Sequence, residues 1–382
     1  MNYDVIVVGC GLSGSVIARE FAETGKTVFI IERRDHIGGN MYDYVNEDGV
    51  LVHKYGPHTF HTKKKELFDY MARFSEWDEY ILTCGSVIDG KCTPTPFNFQ
   101  TIDDFFDKHK AEKIKSALKE AYPDQEFATV LELLDHDNDL IREYAQFLFD
   151  KDYSLYTAKQ WGISPKEIDK SVLKRVPIRF NYDVGYFDDE YQYMPRTSYK
   201  TFFDNILEHE NITVKLGQDA LKHLSLHDGR IYMDGDEYKG ILVYTGAIDE
   251  LFECKYGRLP YRSLRFEWET EDKKSFQDAP VVAYPEAEGY TRITEYTKLP
   301  VQNVGNRTVF ALEYPLQYDG TGDNEPYYPV LTDNSLLLYD KYRRKAEKYD
   351  NLILCGRLAD FRCYNMDQAL DRAINSIRWI VK

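Results

Sequence analysis

No apolar run in the 382 residues approaches the roughly 18 to 20 needed to cross a bilayer. With no basic segment ahead of Val5 to Val8, no signal peptide is visible either, and the chain reads as soluble and cytoplasmic. Cysteine is scarce, and Cys10, Cys84, Cys92, Cys254, Cys355 and Cys363 show no CxxC spacing, which excludes a disulfide framework and a zinc cluster. The histidines form no HExxH pair, and neither a GxSxG elbow nor a P-loop occurs, so no metal is expected. Positive charge is in deficit: 48 Lys and Arg against 64 Asp and Glu give a formal charge of -16. Such a surface repels phosphate backbones and anionic lipid, excluding nucleic acid and membrane as partners while leaving room for a local basic pocket. What remains is ordinary globular material, 43% hydrophobic, long enough for two or three domains. Tyrosine, at 31 residues, is in excess and suits either half-buried packing or flat polar ligands.

The first forty residues carry the strongest pattern. Val5 to Val8 is a β-branched run suited to a buried parallel strand, and it leads into Gly9-Cys10-Gly11-Leu12-Ser13-Gly14. Ser15 to Thr24 reads as a helix stopped by Gly25, and Thr27 to Ile31 as a second strand ending on Glu32. Together these make a dinucleotide-binding βαβ unit. Gly9 permits the tight turn, Gly11 lets a pyrophosphate approach backbone N–H groups beside Ser13, and Gly14 lets helix and strand pack closely. Glu32 is the expected acceptor for an adenosine ribose. Arg33 and then Gly38-Gly39-Asn40 follow, a basic residue and glycine pair that resembles the two-dinucleotide-binding-domain flavoproteins and implies FAD rather than NAD. At the far end, Asn351 to Cys355 reads as a strand into Gly356-Arg357, then a helix from Asp367 to Trp379. Its N-terminus is expected to receive the rest of the flavin diphosphate and ribityl chain.

Between these ends the periodicity changes twice. Thr101 to Asp150 has helical spacing, whereas Val281 to Tyr284, Gly289 to Thr297 and Arg307 to Tyr314 read as strands, with Tyr290, Arg292, Thr294 and Tyr296 on one face. The expected architecture is α/β: a discontinuous Rossmann-like FAD-binding domain (1–75, 195–255 and 334–382), a helical insertion domain (76–165) and an antiparallel β-sheet domain (166–194 and 256–333).

Six segments then point one way. Tyr55 to Thr62, Tyr156-Thr157-Ala158-Lys159-Gln160-Trp161-Gly162, Lys174 to Arg179, Tyr290 to Tyr296, Glu313-Tyr314-Pro315 and Gly356-Arg357-Leu358 resemble the prokaryotic UDP-galactopyranose mutases, in order and over nearly the whole chain. The resemblance implies an isomerase of UDP-sugars. In it reduced FAD, through N5, displaces the nucleoside diphosphate from the anomeric carbon, and the opened sugar recloses through another hydroxyl. It implies Arg175 and Arg292 as the diphosphate arginines, Arg175 on a mobile lid from Trp161 to Pro177. Tyr156 and Trp161 match residues flanking the uracil, His61 a flavin-side histidine, and Tyr186 and Tyr314 tyrosines on the nucleotide and phosphate side. Arg357, with His58 and Met366, falls on the FAD side. Arg179 reads as a surface charge, and Tyr193 and Tyr296 as packing. The family also implies a homodimer and a reductant such as NAD(P)H or a partner reductase.

The departures from the family pattern matter as much. Cys84 stands where the family usually has Asn, and Arg362-Cys363-Tyr364-Asn365-Met366-Asp367 replaces Arg-Tyr-Leu-Asp-Met-Asp. Cys363 thus occupies a diphosphate-side position and Asn365 a sugar-hydroxyl position, while Tyr193 replaces a glycine. Changed donors and acceptors change discrimination among hydroxylated ligands. The sugar is therefore expected to differ from plain galactose, as a deoxy, amino, pentose or longer-chain relative, against neutral drift in a galactose enzyme. Two other classes share the dinucleotide fingerprint: amine-oxidase-like flavin oxidoreductases and non-catalytic binding proteins of the GDP-dissociation-inhibitor type.

Overall fold

The computed structural model describes residues 3–161, 177–322 and 324–378. Its base is a five-stranded parallel sheet in the order Ile212–Lys215, Val28–Ile31, Val5–Val8, Ile241–Tyr244, Leu352–Leu354. Strand β1 (Val5–Val8) is central, and its near-continuous apolar run suits burial on both faces. Helix α1 (Leu12–Glu23) follows it, starting three residues earlier than the periodicity indicates, and β2 (Val28–Ile31) returns alongside. Val16, Ile17 and Phe21 of α1 pack into one core with Leu370, Ala373 and Ile377 of the C-terminal helix Met366–Ile377. Helices that start at Leu12 and Met366, near opposite ends of the chain, thus share a single core.

The second layer is a seven-stranded sheet in the order Tyr328–Pro329, Tyr261–Glu271, Thr308–Gln317, Arg292–Glu295, Val281–Ala283, Cys84–Ile88, Lys91–Thr95. All pairs are antiparallel except Val281–Ala283 with Cys84–Ile88. The Arg292 strand is shorter than its periodicity indicates. It covers Arg292–Glu295, so Tyr290 and Tyr296 fall in the flanking turns and only Arg292 and Thr294 share its face. A helical cluster, Phe99–Phe105, Lys108–Ala121, Val130–Leu134 and Asp139–Leu148, has a core of its own around Ile114, Leu118, Ile141 and Tyr144. It leads through a π-helical turn, Phe149–Tyr153, into helix Ser154–Trp161 beside the second sheet. Among the described residues no helix is long and apolar enough to cross a membrane.

Candidate active site

Two cavities meet at the junction of the layers. The first is the cradle formed by the βαβ unit, and its wall includes Gly9, Gly11, Ser13, Gly14, Glu32, Arg33, Gly39, Asn40, His58, Arg357 and Met366, every residue expected on the cofactor side. The loop geometry shows why these residues are needed. Gly9 has φ +100°, and a Cβ there would lie 2.1 Å from Thr245 Oγ1. Gly39, at φ +56°, approaches so closely that a Cβ would sit 2.8 Å from Gly11 Cα; the second glycine pair exists to let two loops close on each other. Helix α1 has Gly11 as its N-cap with no side-chain hydrogen bond, so its first N–H groups face the cradle without a capping side chain. Glu32 accepts from Cys10 N–H at 2.7 Å and Arg34 N–H at 2.9 Å, one bond on each oxygen, which leaves further lone pairs for ribose hydroxyls. Arg33 pairs with Glu325 and, at 4.0 Å, with Glu250 at the cradle's edge.

The second cavity lies between the seven-stranded sheet and helix Ser154–Trp161, and His58, Arg357, Asn365 and Met366 line both. Arg292, Cys84, Tyr156, Tyr186, His61 and Asn365 all come together in it. Arg292 is clamped by Glu313, whose Oε2 accepts from Nε at 2.9 Å and Nη2 at 2.7 Å. Burial alone would lower the guanidinium's pKa, but the Glu313 carboxylate outweighs it and holds the pKa raised, so Arg292 is always charged. Burial pushes the Cys84 thiol up to about 12 against the pull of Arg292, leaving a neutral, weakly hydrogen-bonding side chain. Burial drives His58 down to about 4, with Arg357 and Arg292 adding to it against the Gly56 carbonyl, which accepts from Nδ1 at 2.8 Å. His58 is therefore uncharged. His61 Nδ1 donates to Asp189 Oδ2 at 2.5 Å while its ring stacks on Phe187 at 3.6 Å, which fixes the tautomer and aims Nε2 away from the carboxylate.

Not every expected residue arrives. Arg175 and the side chain of Trp161, and with them the lid, lie outside the described residues. Tyr314 is not in the wall. Glu313 faces Arg292 across the strand pair, so alternation sends Tyr314 to the opposite face, where Arg265 lies 4.1 Å over its ring. Cys363 is exposed, its Sγ 3.9 Å from the Pro329 carbonyl, and Tyr193 stacks on Phe68 at 4.1 Å, away from both cavities. Arg179 is no surface charge but 4% exposed, donating to the Gly185 carbonyl and, at 2.5 Å, to Asp188. Conversely, Tyr328, Phe187 and Asp152 line the second cavity without having been singled out in the sequence. The Tyr327-Tyr328 pair between Pro326 and Pro329 was the one available signal. Among the described residues no group of three or more His, Cys, Asp or Glu is placed to hold a metal ion.

A family model described as UDP-galactopyranose mutase matches residues 151–363, and one described as an NAD(P)-binding Rossmann-like domain matches residues 7–74. Over 378 residues, 98% of this chain and 94% of the other, the sequence is 34% identical to a probable UDP-galactopyranose mutase of Klebsiella pneumoniae. The chain belongs to the UDP-galactopyranose mutase family. This mutase is also 32% identical, over 99% of its own length and 98% of the other, to a dTDP-fucopyranose mutase of Escherichia coli. Its fold matches a crystal structure of reduced UDP-galactopyranose mutase with a TM-score of 0.72 over all of this chain and 96% of that one, at 16% identity. It is an isomerase, and its cofactor is FAD. The cradle fits that group: paired glycine loops close on one another, α1 offers free N–H groups to a diphosphate, and Glu32 waits at the ribose end.

Proposed function

We propose that this mutase interconverts the pyranose and furanose forms of a UDP-linked sugar, with the diphosphate on Arg292 and the sugar where the two cavities meet. The observation that carries the reading is Arg292 itself, a permanently charged fork clamped on Glu313 in an aromatic cavity that opens onto the flavin cradle. Bound and reduced, FAD supplies a nucleophilic nitrogen toward the anomeric carbon. The side chains do the rest. Glu313 takes Nε and one face of Nη2, leaving Nη1 to meet diphosphate oxygens as charge develops on them and to hold the leaving group for its return. Neutral His58 and Asn365 offer hydrogen bonds to hydroxyls at the junction without adding charge, and Tyr156, Tyr186 and Phe187 make flat walls that exclude water. Arg175 and Trp161 belong to the same reading, as second cation and base-stacking ring.

The division into a cofactor unit (1–75, 195–255 and 334–382), a helical unit (76–165) and a substrate sheet (166–194 and 256–333) goes with it, as do a cytoplasmic homodimer and an NAD(P)H-type reductant. Of the four departures from the family pattern, Cys84 and Asn365 bear on the sugar because they line the cavity; Cys363 and Tyr193 do not. The reading keeps a sugar other than plain galactose, since a thiol is a poor partner for a hydroxyl. The test is to incubate dithionite-reduced protein with UDP-linked galactose, 6-deoxygalactose, N-acetylgalactosamine and arabinopyranose and to separate products. Furanose product without net flavin oxidation is expected, fastest for a sugar other than galactose. Consumption of an electron acceptor without furanose would refute the mutase reading, and galactose turning over fastest would refute the sugar assignment alone.

The His61–Asp189 pair gives a separate expectation. Asp189→Asn removes the carboxylate that fixes the tautomer, so kcat should fall by about a hundredfold, the lower end of what a proton-handling side chain supplies. Flavin content and KM should stay near the parent's. An unchanged kcat in a flavin-replete variant would mean that the orientation of His61 does not matter to turnover.

A further inference from the structure

Among the described residues the cavity wall includes one carboxylate, Asp152, and the reaction does not use it. Asp152 lies in the π-helical turn Phe149–Tyr153, an irregularity that costs helix hydrogen bonds and is frequent at functional sites. Its Oδ2 accepts from Ser86 Oγ at 2.6 Å, and the side chain lines the cavity. Among the described residues no Lys, Arg or His pairs with it and no donor reaches Oδ1. Burial pushes its carboxyl up to about 6, opposed by the Ser86 hydroxyl. An unpaired acceptor held open toward a ligand cavity is a costly arrangement unless a ligand donor completes it.

Sheet register says which part of the ligand that is. Ser86, Ala283 and Arg292 stand directly opposite one another on adjacent strands, so their side chains leave one face. Two strand spacings put the Ser86 row roughly 10 Å from that of Arg292. That matches the reach of a nucleoside from its diphosphate to the edge of its base. The sugar end lies elsewhere, at His58, Arg357, Asn365 and Met366, where the cradle opens, and Asp152 is not among those shared residues. Asp152 and Tyr156 are four residues apart on continuous helical turns, so they share a face. A base stacked on the Tyr156 ring presents its edge to the carboxylate.

We propose that Asp152 accepts the imide N–H of the nucleobase and so selects uracil or thymine against cytosine, whose ring nitrogen at that position has no hydrogen. Ser86 is its positioning residue. This rests on the nucleotide reading above and adds to it a base-specificity residue.

The test is calorimetric titration of the full-length, FAD-loaded protein with UDP, N3-methyl-UDP, CDP and 2′-deoxy-UDP. The parent should bind UDP at least about tenfold more tightly than N3-methyl-UDP or CDP, because a site built for one donor rejects analogues lacking it. In Asp152→Asn the amide can donate to cytosine, so the UDP to CDP ratio should fall at least about tenfold. Ser86→Ala, which keeps the carboxylate but frees it, should lower the ratio less and serves if Asp152→Asn does not fold. An unchanged ratio in the folded variants overturns the inference. So does a parent that binds N3-methyl-UDP as tightly as UDP, or a parent that discriminates against 2′-deoxy-UDP with that discrimination lost in Asp152→Asn, which would move the contact to the ribose. A parent that binds no nucleotide at all overturns the nucleotide reading itself, a result distinct from these.

Discussion

Arg292→Ala is expected to abolish furanose formation, by about a thousandfold or more, while the protein keeps its flavin. The size follows from what is removed: a fixed, fully charged donor at the point where diphosphate charge develops, a loss worth about 10² to 10³ for one preorganised donor even when uncharged. The same substitution also strands Glu313, whose side chain is 4% exposed, without its partner. An uncompensated buried carboxylate costs about 3–5 kcal/mol, so the single variant should melt well below the parent. The two effects separate in Arg292→Ala/Glu313→Gln. Neutralising the stranded carboxylate should restore most of the melting temperature and none of the turnover. Thermal melts followed by flavin fluorescence, with product separation on the same preparations, read both. A single variant that turns over within tenfold of the parent would show that Arg292 is not the diphosphate cation. A double variant that regains activity would show that the defect was structural.

Legibility in the sequence tracked how local the constraint is. The cradle was readable because each glycine answers to a neighbour within one βαβ unit or one adjoining loop; Gly9, Gly11, Gly14 and Gly39 all stand where the spacing puts them. The shared core of α1 and the C-terminal helix was readable for a similar reason, since each is a strand-turn-helix unit with its own signal. The substrate cavity was harder because it is assembled from seven separate stretches of chain, and contacts between them leave no periodicity. Tyr314 shows the difference. A motif names the residue, but only the pairing of Arg292 with Glu313 reveals that position 314 points to the opposite face. Arg179 failed for the converse reason: its charge is satisfied by the Gly185 carbonyl and Asp188, partners six and nine residues away in a loop no pattern predicts. Asp152 was invisible because a π-turn has no sequence signature, and because its significance lies in a register shared with Ser86 and Arg292 across three strands.

The cofactor cradle allows the second large expectation, that Gly14→Ala yields colourless, poorly folded protein. Gly14 sits inside α1 with ordinary helical backbone, so conformational freedom is not the reason for glycine. Space is: a Cβ would lie 2.0 Å from the Gly9 carbonyl oxygen, 3.1 Å from its carbon and 3.3 Å from Val7 Cγ1. The first two are backbone atoms of the very turn that shapes the diphosphate site, so nothing flexible can yield. Helix and turn must separate, at a cost of about 1–3 kcal/mol or more for overpacking, and the α1 N–H groups move off their target as they do. Two companion glycines isolate the cause. At Gly11 a Cβ would meet only Gly39 Cα at 3.7 Å, an ordinary contact, so Gly11→Ala should fold normally yet lose flavin, because its methyl occupies the cradle. At Gly25, with φ +85° and nothing within 4 Å, alanine should cost only backbone strain of about 1 kcal/mol and leave the protein yellow. Flavin absorbance per polypeptide and the thermal midpoint distinguish the three. Stoichiometric flavin with a parental midpoint in Gly14→Ala would disprove the close-packing argument. Equal flavin loss in Gly25→Ala would show that any glycine replacement in the unit is disruptive, and that the cradle is not selectively sensitive.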